Sequence, residues 1–352
     1  MSITYSLPSI DENSHTITFY TDTLKFYNDC LAFLLENSAS NNYQIGLMKS
    51  MVDNPERFTI DRRFLMVVHQ KGEIERVVTW FPPQLMVFSF PDEKQLLETR
   101  KIVARGVLKM FCSVDYRNLR ISNNSDVLSF DQFEEIVKKF DRKLTGFWST
   151  EESLFLCEEY VSNFDPGMNP SPSYKIQVKM MSYSLIRDHL TLPPKETNYE
   201  LKFLDTTNEN LTKHCANMIH RFCKICFPAI VPSEQFILEN MLLRPSQKGN
   251  TFYVTMKGNS NPIAIALATP IPSACRITHV FTEEEYRGRG IASFLIQSMS
   301  MQLFERKEEG GNQLFKWMFL TADSSNPTSN GVYVRSGFKE ETEFTLCDIN
   351  YN

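Results

Sequence analysis

The pattern of apolar and polar positions changes period most clearly within residues 276–305, RITHVFTEEEYRGRGIASFLIQSMSMQLFE. Ile277, His279 and Phe281 alternate with Thr278, Val280 and Thr282, which predicts a strand. Arg287, Gly288, Arg289 and Gly290 follow. From Ile291 onward the apolar residues Phe294, Leu295, Met299 and Leu303 fall at three- and four-residue steps, which predicts one face of a helix. A helix that opens behind glycines presents unpaired backbone N–H groups and a partial positive charge, so it is suited to an anion such as phosphate. Arg287 and Arg289 add charge to that turn.

The same reading divides the chain into two halves. Residues 24–35 (LKFYNDCLAFLL) predict a first helix. Residues 63–90 predict three strands, FLMVVH, RVVTWF and QLMVFSF, separated by a Lys71-Gly72 turn and a Pro82-Pro83 break. Helices are predicted over 94–111, 131–140 and 151–161, strands over 119–122 and 174–186, and a loop over 163–173. No glycine-bearing turn joins a strand to a helix in this half. Residues 189–198, with Pro193-Pro194, are the candidate linker between domains 1–188 and 199–352. After it come a strand at 199–204, helices at 209–227 and 233–243, strands FYVTMK and IAIALAT, and then the glycine turn. Strand FKWMFLTA and a short helix from Asn326-Pro327 to Arg335 follow, with Gly337 behind it, and FKEETEFTL ends the half as a strand. Asn before the helix, Pro at its first position and Gly after it are consistent with a helix capped at both ends.

Composition narrows the partners. At 352 residues the chain is long enough for two domains with real cores, and 42% apolar and 12% aromatic residues fit a globular protein. A formal net charge of −5 without a Lys/Arg block argues against nucleic acid. No apolar run approaches the roughly 20 residues of a membrane helix, and the first residues carry no basic-then-apolar leader. The expectation is a soluble cytoplasmic protein with no nucleic-acid or membrane partner; nothing in the sequence indicates an oligomeric state. Eight scattered cysteines predict reduced thiols. Cys223 and Cys226, with His214 and His220 nearby, lack the second pair that a zinc site needs, so no metal is expected.

A glycine turn alone admits several readings. One is a structural turn. Another is a dinucleotide site, with Asp323 as the ribose-binding acid, but too few residues follow Asp323 for a complete doubly wound sheet. No G-x-x-x-x-G-K-[ST] loop is present.

A third reading uses both sides of the turn. Residues 199–352 resemble the GNAT superfamily of acetyl-CoA-dependent N-acetyltransferases. Its signature (Gln or Arg, two residues, Gly, one residue, Gly or Ala) is matched by Arg287, Gly290 and Ala292. Its second block is matched by Asn326, by Tyr333 seven residues later, and by Gly337-Phe338. The runs RVVTWFPPQLMVFSF and MSYSLIRDHLTLPP resemble the amino-terminal region of two-domain members. The resemblance implies a mixed-sheet α/β fold in which a degenerate N-terminal copy precedes the acetyltransferase domain. Glu283 and Glu284 stand where such proteins often carry prolines.

The resemblance also implies chemistry. Acetyl-CoA would be the co-substrate, its pyrophosphate over the amides of Gly288, Arg289, Gly290, Ile291, Ala292 and Ser293 beside Arg287. Its pantetheine arm would run along Val280, Phe281 and Thr282, with Asn326 beside it. Tyr333 would protonate the leaving thiolate, and a primary amine, a small molecule before a peptide, would be the acceptor. His279, Glu285 and ordered water are the alternatives for the base. A non-catalytic acyl-CoA-binding protein of the same fold is the rival reading.

Overall fold

The structure is a computed structural model that describes residues 2–6, 15–20, 22–58, 63–81, 86–89, 101, 107–108, 120–121, 146–149, 152–163, 172–228, 231–244 and 249–351. The Pro82-Pro83 break, the helix expected at 131–140 and most of that at 94–111 lie outside these residues. The chain forms two compact units, Met1–Met181 with Thr342–Asn352, and Ser182–Glu341. The segment 189–198 therefore belongs to the second unit.

The first unit contains β1 (Ser2–Ser6), β2 (His15–Tyr20), α1 (Thr23–Glu36), α2 (Ser38–Asp53), β3 (Phe64–Gln70), β4 (Glu73–Trp80), β5 (Met86–Phe88), β6 (Arg120–Ile121), β7 (Gly146–Ser149), α3 (Glu152–Asn163) and most of β8 (Pro172–Leu185). β1 to β5 pair antiparallel in sequence order, except that β5 takes β4 on one side and the parallel β7 on the other. Asp22 caps α1 by accepting from the Lys25 N–H at 2.9 Å, and the helix buries Phe26, Tyr27, Cys30 and Leu34. α2 was not foreseen from the hydrophobic pattern because much of its buried face is polar. Asn41, Asn42 and Gln44 are buried there, and Gln44 Nε2 donates to the Val77 carbonyl at 3.1 Å and to Thr79 Oγ1 at 3.3 Å. These bonds satisfy the Gln44 NH2 group, which would otherwise be costly to bury.

The second unit contains β9 (Tyr199–Phe203), α4 (Glu209–Cys226), α5 (Glu234–Ile237), β10 (Thr251–Met256), β11 (Ala264–Ile271), β12 (Ala274–Thr282), α6 (Ile291–Phe304), β13 (Trp317–Asp323), α7 (Pro327–Arg335) and the start of β14 (Lys339–Tyr351). Its strand order is β13-β12-β11-β10-β9, antiparallel except for the parallel β12–β13 pair that α6 connects. The helix expected over 233–243 is instead α5 followed by a wider π-turn at Leu238–Leu242, in which the Leu243 N–H reaches the Leu238 carbonyl. α4 buries Thr212, Cys215, Ala216, Met218, Ile219 and Cys223 against Tyr253, Ile265, Leu267 and Phe281. α6 runs along β9 to β12. Burying each such large apolar side chain contributes about 1.5–3 kcal/mol.

The units share a run of a strand, two helices, a three-strand meander, a strand parallel to the last meander strand, a helix and a closing strand, from β2 to β8 in the first and from β9 to β14 in the second; the first unit also has β1 and β6 at its edge. The closing strands are shared between units. β8 passes from the first unit to the second at Ser182, and β14 passes from the second to the first at Thr342. In the first unit β14 pairs Thr345 with Ser149 and Cys347 with Phe147, and the Trp148 ring stacks on Tyr43 at 4.2 Å and Phe344 at 4.7 Å.

α7 ends in a Schellman motif. The Phe338 N–H reaches the Tyr333 carbonyl at 3.1 Å, the Gly337 N–H reaches that of Val334 at 3.0 Å, and the Phe338 ring meets Tyr333 at 6.3 Å. Gly337 has φ +96°, and a Cβ there would stand 1.9 Å from the His189 carbonyl oxygen. Gly337→Ala is therefore expected to cost roughly 2–4 kcal/mol, combining backbone strain with a backbone clash. Urea denaturation measures it, and an unchanged midpoint would contradict the assigned contact.

Candidate functional site

The parallel pairing of β12 and β13 stops early. Ala274, Cys275 and Arg276 pair with Trp317, Met318 and Phe319, and no pair between these strands is formed beyond them. β12 nevertheless continues to Thr282 and β13 to Asp323. Their carboxyl ends thus diverge, and the strand-end peptide groups facing the gap are not taken up by the neighbouring strand. On its other side β12 stays paired with β11, where Ile265 faces Phe281 and Ala264 faces Thr282.

That pairing contains a bulge. Between Thr278, opposite Leu267, and Phe281, opposite Ile265, β12 has one residue more than β11. The extra length falls at His279 and Val280, and His279 has φ 52°, the left-handed region that costs a branched or bulky side chain most. The His279 ring packs edge-on to Phe222 of α4 at 5.4 Å. Its Nδ1 is sealed from solvent without a hydrogen-bond partner among the described residues. Burial, with a smaller contribution from the Arg276 charge, pushes its pKa down from the ordinary value of 6.5 to about 4. The imidazole is therefore neutral at physiological pH.

The glycine turn lies directly beyond the strand end. A short 3₁₀ turn at Glu284–Tyr286 leads to Gly288, φ +78°, and Gly290, φ +77°, the residue before α6. A Cβ built on either glycine meets nothing within 4 Å, so both are required by backbone conformation and by the open approach they leave. The first helical bond runs from the Phe294 N–H to the Gly290 carbonyl, which leaves the amides ahead of Phe294 at the free helix end. Side chains brace this loop. Arg287 Nε donates to the Thr282 carbonyl at 3.1 Å, the Arg289 guanidinium covers the Tyr286 ring at 5.5 Å, and Tyr199 donates its hydroxyl to the Arg289 carbonyl at 3.2 Å. Ile291 is buried and Ala292 and Ser293 are half-buried. The residues present thus fit a pyrophosphate.

Across the gap, Asp323 ends β13, and its Oδ1 accepts from the Ser325 N–H and hydroxyl at 2.8 and 2.7 Å. Asn326 caps α7, accepting from the Ser329 N–H at 3.2 Å. Tyr333 is buried, with its ring 5.7 Å from that of Tyr183. Burial foremost, then the neighbouring Cys226 and Tyr183, raises its pKa, so its hydroxyl keeps its proton. Both residues have structural work in capping and closing α7. Glu285 is exposed on the turn.

One contact was invisible in the sequence. Glu283, read as part of an acidic turn, is only 8% exposed and takes a bidentate pair from Arg221 of α4, one arm of it at 2.7 Å. The partners lie 62 residues apart, so only the fold brings them together. Of the earlier metal candidates, Cys223 is buried, Cys226 is exposed, and His220 Nδ1 is hydrogen-bonded to the Pro232 carbonyl at 2.8 Å. Among the described residues no group of three His, Cys, Asp or Glu side chains is arranged to hold a metal ion, and no helix is long and apolar enough to cross a membrane.

Residues 216–338 match the acetyltransferase (GNAT) family model. No curated protein sequence matches the chain. A solved Drosophila protein is similar over 96% of this chain and 99% of its own, at 10% identity with a TM-score of 0.53, a likeness of fold. A GCN5-related N-acetyltransferase from Sphaerobacter thermophilus aligns over 82% of this chain and 80% of its own at 12% identity, TM-score 0.48. A tandem GNAT protein from the clavulanic acid biosynthesis pathway aligns over 82% of each at 10% identity, TM-score 0.45.

The buried imidazole has a measurable signature. Below about pH 6.5 the unfolded chain protonates His279 and the folded chain does not until about pH 4, so stability falls as pH drops through that window. Asn tolerates a positive φ, so His279→Asn is expected to flatten this part of the stability profile in urea titrations between pH 7 and 4.5. An identical slope in the variant would contradict the buried neutral state.

Proposed function

From the GNAT acetyltransferase domain that the chain carries at residues 216–338, we propose that the protein transfers an acetyl group from acetyl-CoA to a primary amine by direct attack in a ternary complex. The observation that supports this reading is the gap between β12 and β13, which leads straight into the glycine turn and the free end of α6. A strand end that has parted from its parallel neighbour and a helix N-terminus are the two parts that an acyl thioester on a phosphorylated carrier needs. One polarises a carbonyl and the other holds an anion.

In this reading residues 1–188 are a degenerate copy of the fold and 199–352 are the acetyltransferase domain, joined through 189–198. The amides of Gly288, Arg289, Gly290, Ile291, Ala292 and Ser293 bind pyrophosphate, with Arg287 beside them. Backbone groups of Val280, Phe281 and Thr282 line the pantetheine arm, and Asn326 borders it. The amine nitrogen attacks the thioester carbon and the carbon–oxygen pair opens to an oxyanion that the strand-end N–H groups stabilise. The carbon–sulfur bond then breaks, and Tyr333 gives its proton to the leaving thiolate. The carbonyl re-forms as that bond breaks, and the amine's surplus proton passes through water to the Tyr333 phenolate, which restores the acid. A phenol kept protonated by burial is suited to the acid role. A small-molecule amine is preferred over a peptide as acceptor.

Calorimetry with acetyl-CoA up to about 1 mM is expected to show one site, and absence of binding would remove the proposal. Thiol release measured over a panel of an alkylamine, an arylalkylamine, an amino acid and a tripeptide separates an enzyme from an acyl-CoA-binding protein. Tyr333→Phe is expected to lower turnover about 10²-fold with acetyl-CoA affinity nearly unchanged. Equal turnover would withdraw Tyr333 from the acid role. Gly290→Val is expected to weaken acetyl-CoA binding at least tenfold, because the added carbons stand where the amides need open space, at a backbone cost of about 1–2 kcal/mol.

A further inference from the structure

Beyond Arg276 the strand end of β12 has lost β13, so Phe281 and Thr282 are paired with β11 as their one remaining neighbour strand, with Arg287 Nε on the Thr282 carbonyl at 3.1 Å. A bulge with a left-handed residue lies two positions before Phe281, and a bulge loosens a ladder. The next residue after the strand, Glu283, is fastened on both backbone and side chain. Its N–H donates to the Ile263 carbonyl at 3.0 Å, and its carboxylate takes both arms of the Arg221 guanidinium. Arg221 also lies 5.3 Å from the centre of the Phe281 ring. Arg221 is itself held, since its Nε donates to Asn217 Oδ1 at 3.1 Å and Asn217 Nδ2 donates to Glu234 at 2.9 Å. A continuous chain of side-chain contacts therefore runs from α5 through α4 to the tip of β12.

We infer that the Arg221–Glu283 pair is a positioning device that fixes the strand end at which the thioester carbonyl is polarised. This rests on the acetyl-CoA reading above. A planar guanidinium meeting a carboxylate on two bonds fixes orientation as well as distance, which a lysine would not. Oxyanion donors act only when they are fixed before the charge develops, and a displacement of about 1 Å can cost on the order of 10²-fold in rate. The carboxylate is nearly sealed from water while the guanidinium is partly open, so removing Arg221 alone leaves a buried charge unpaired and loosens the fold. Replacing both by apolar residues removes the charge together with the tether.

The test uses the full chain and acetyl-CoA labelled with ¹³C at the thioester carbonyl, so no acceptor is needed. Unmodified protein is expected to shift the carbonyl resonance on binding. Arg221→Met should lower the Tm by several degrees and abolish most of that shift. The double variant Arg221→Met with Glu283→Met should recover the Tm, bind acetyl-CoA within about threefold of the unmodified protein, and still lack the shift. The reciprocal exchange, Arg221→Glu with Glu283→Arg, should restore part of it. A double variant that recovers the full carbonyl shift along with the Tm would reduce the pair to a structural brace and overturn the inference. Failure of the unmodified protein to bind acetyl-CoA in calorimetry would overturn the functional reading, and this inference with it.

Discussion

The divergence of two parallel strands governs this structure. Sheets are held by ladders of hydrogen bonds, and β12 and β13 give theirs up after Arg276 and Phe319 while both strands run on. Peptide groups without a ladder must be satisfied elsewhere, by side chains, solvent or a ligand, because leaving them buried and unpaired is costly. Arg287 Nε already takes the Thr282 carbonyl in this way, and the elements around the gap keep the two strand ends apart. β11 keeps hold of the far edge of β12, the glycine turn carries the chain away without filling the space, and α7 closes off the end of β13.

The elements that frame this gap were legible to different degrees. The strand, the glycines and α6 announced themselves by a change from period two to period 3.6, and the boundaries at Thr282 and Ile291 follow from that change. α7 was legible from Asn326-Pro327 and Gly337, residues whose backbone roles are local. α2 was not, because a face that buries Asn41, Asn42 and Gln44 has no hydrophobic periodicity to detect. The left-handed His279 and its bulge were equally hidden. Nothing in VFT or ITH specifies a bulge, which comes from registering β12 on β11 with one residue to spare. The sharing of closing strands between units, at Ser182 and Thr342, likewise depends on pairing far from either residue in sequence.

The acidic turn shows most plainly what tertiary structure adds. As a string, Glu283, Glu284 and Glu285 are three equivalent charges in a loop. In the fold Glu284 and Glu285 stay in solvent, whereas Glu283 is drawn inside because Arg221, one turn short of the end of α4, is placed to receive it. Burial of a carboxylate is affordable only with such a partner. The residues singled out from the sequence thus carry structural work of their own: Asn326 caps a helix, the Tyr333 carbonyl closes a Schellman turn, and Arg287 ties a loop to the strand end.

The most direct test is amide hydrogen exchange with and without acetyl-CoA, read residue by residue across the second unit. The account predicts that added acetyl-CoA slows exchange at residues 280–282 and 288–293, with little change along β9 and β10. Unchanged exchange in those two segments, or protection confined to other parts of the chain, would contradict the assignment of the gap and the glycine turn as the place where the thioester and its phosphates are held.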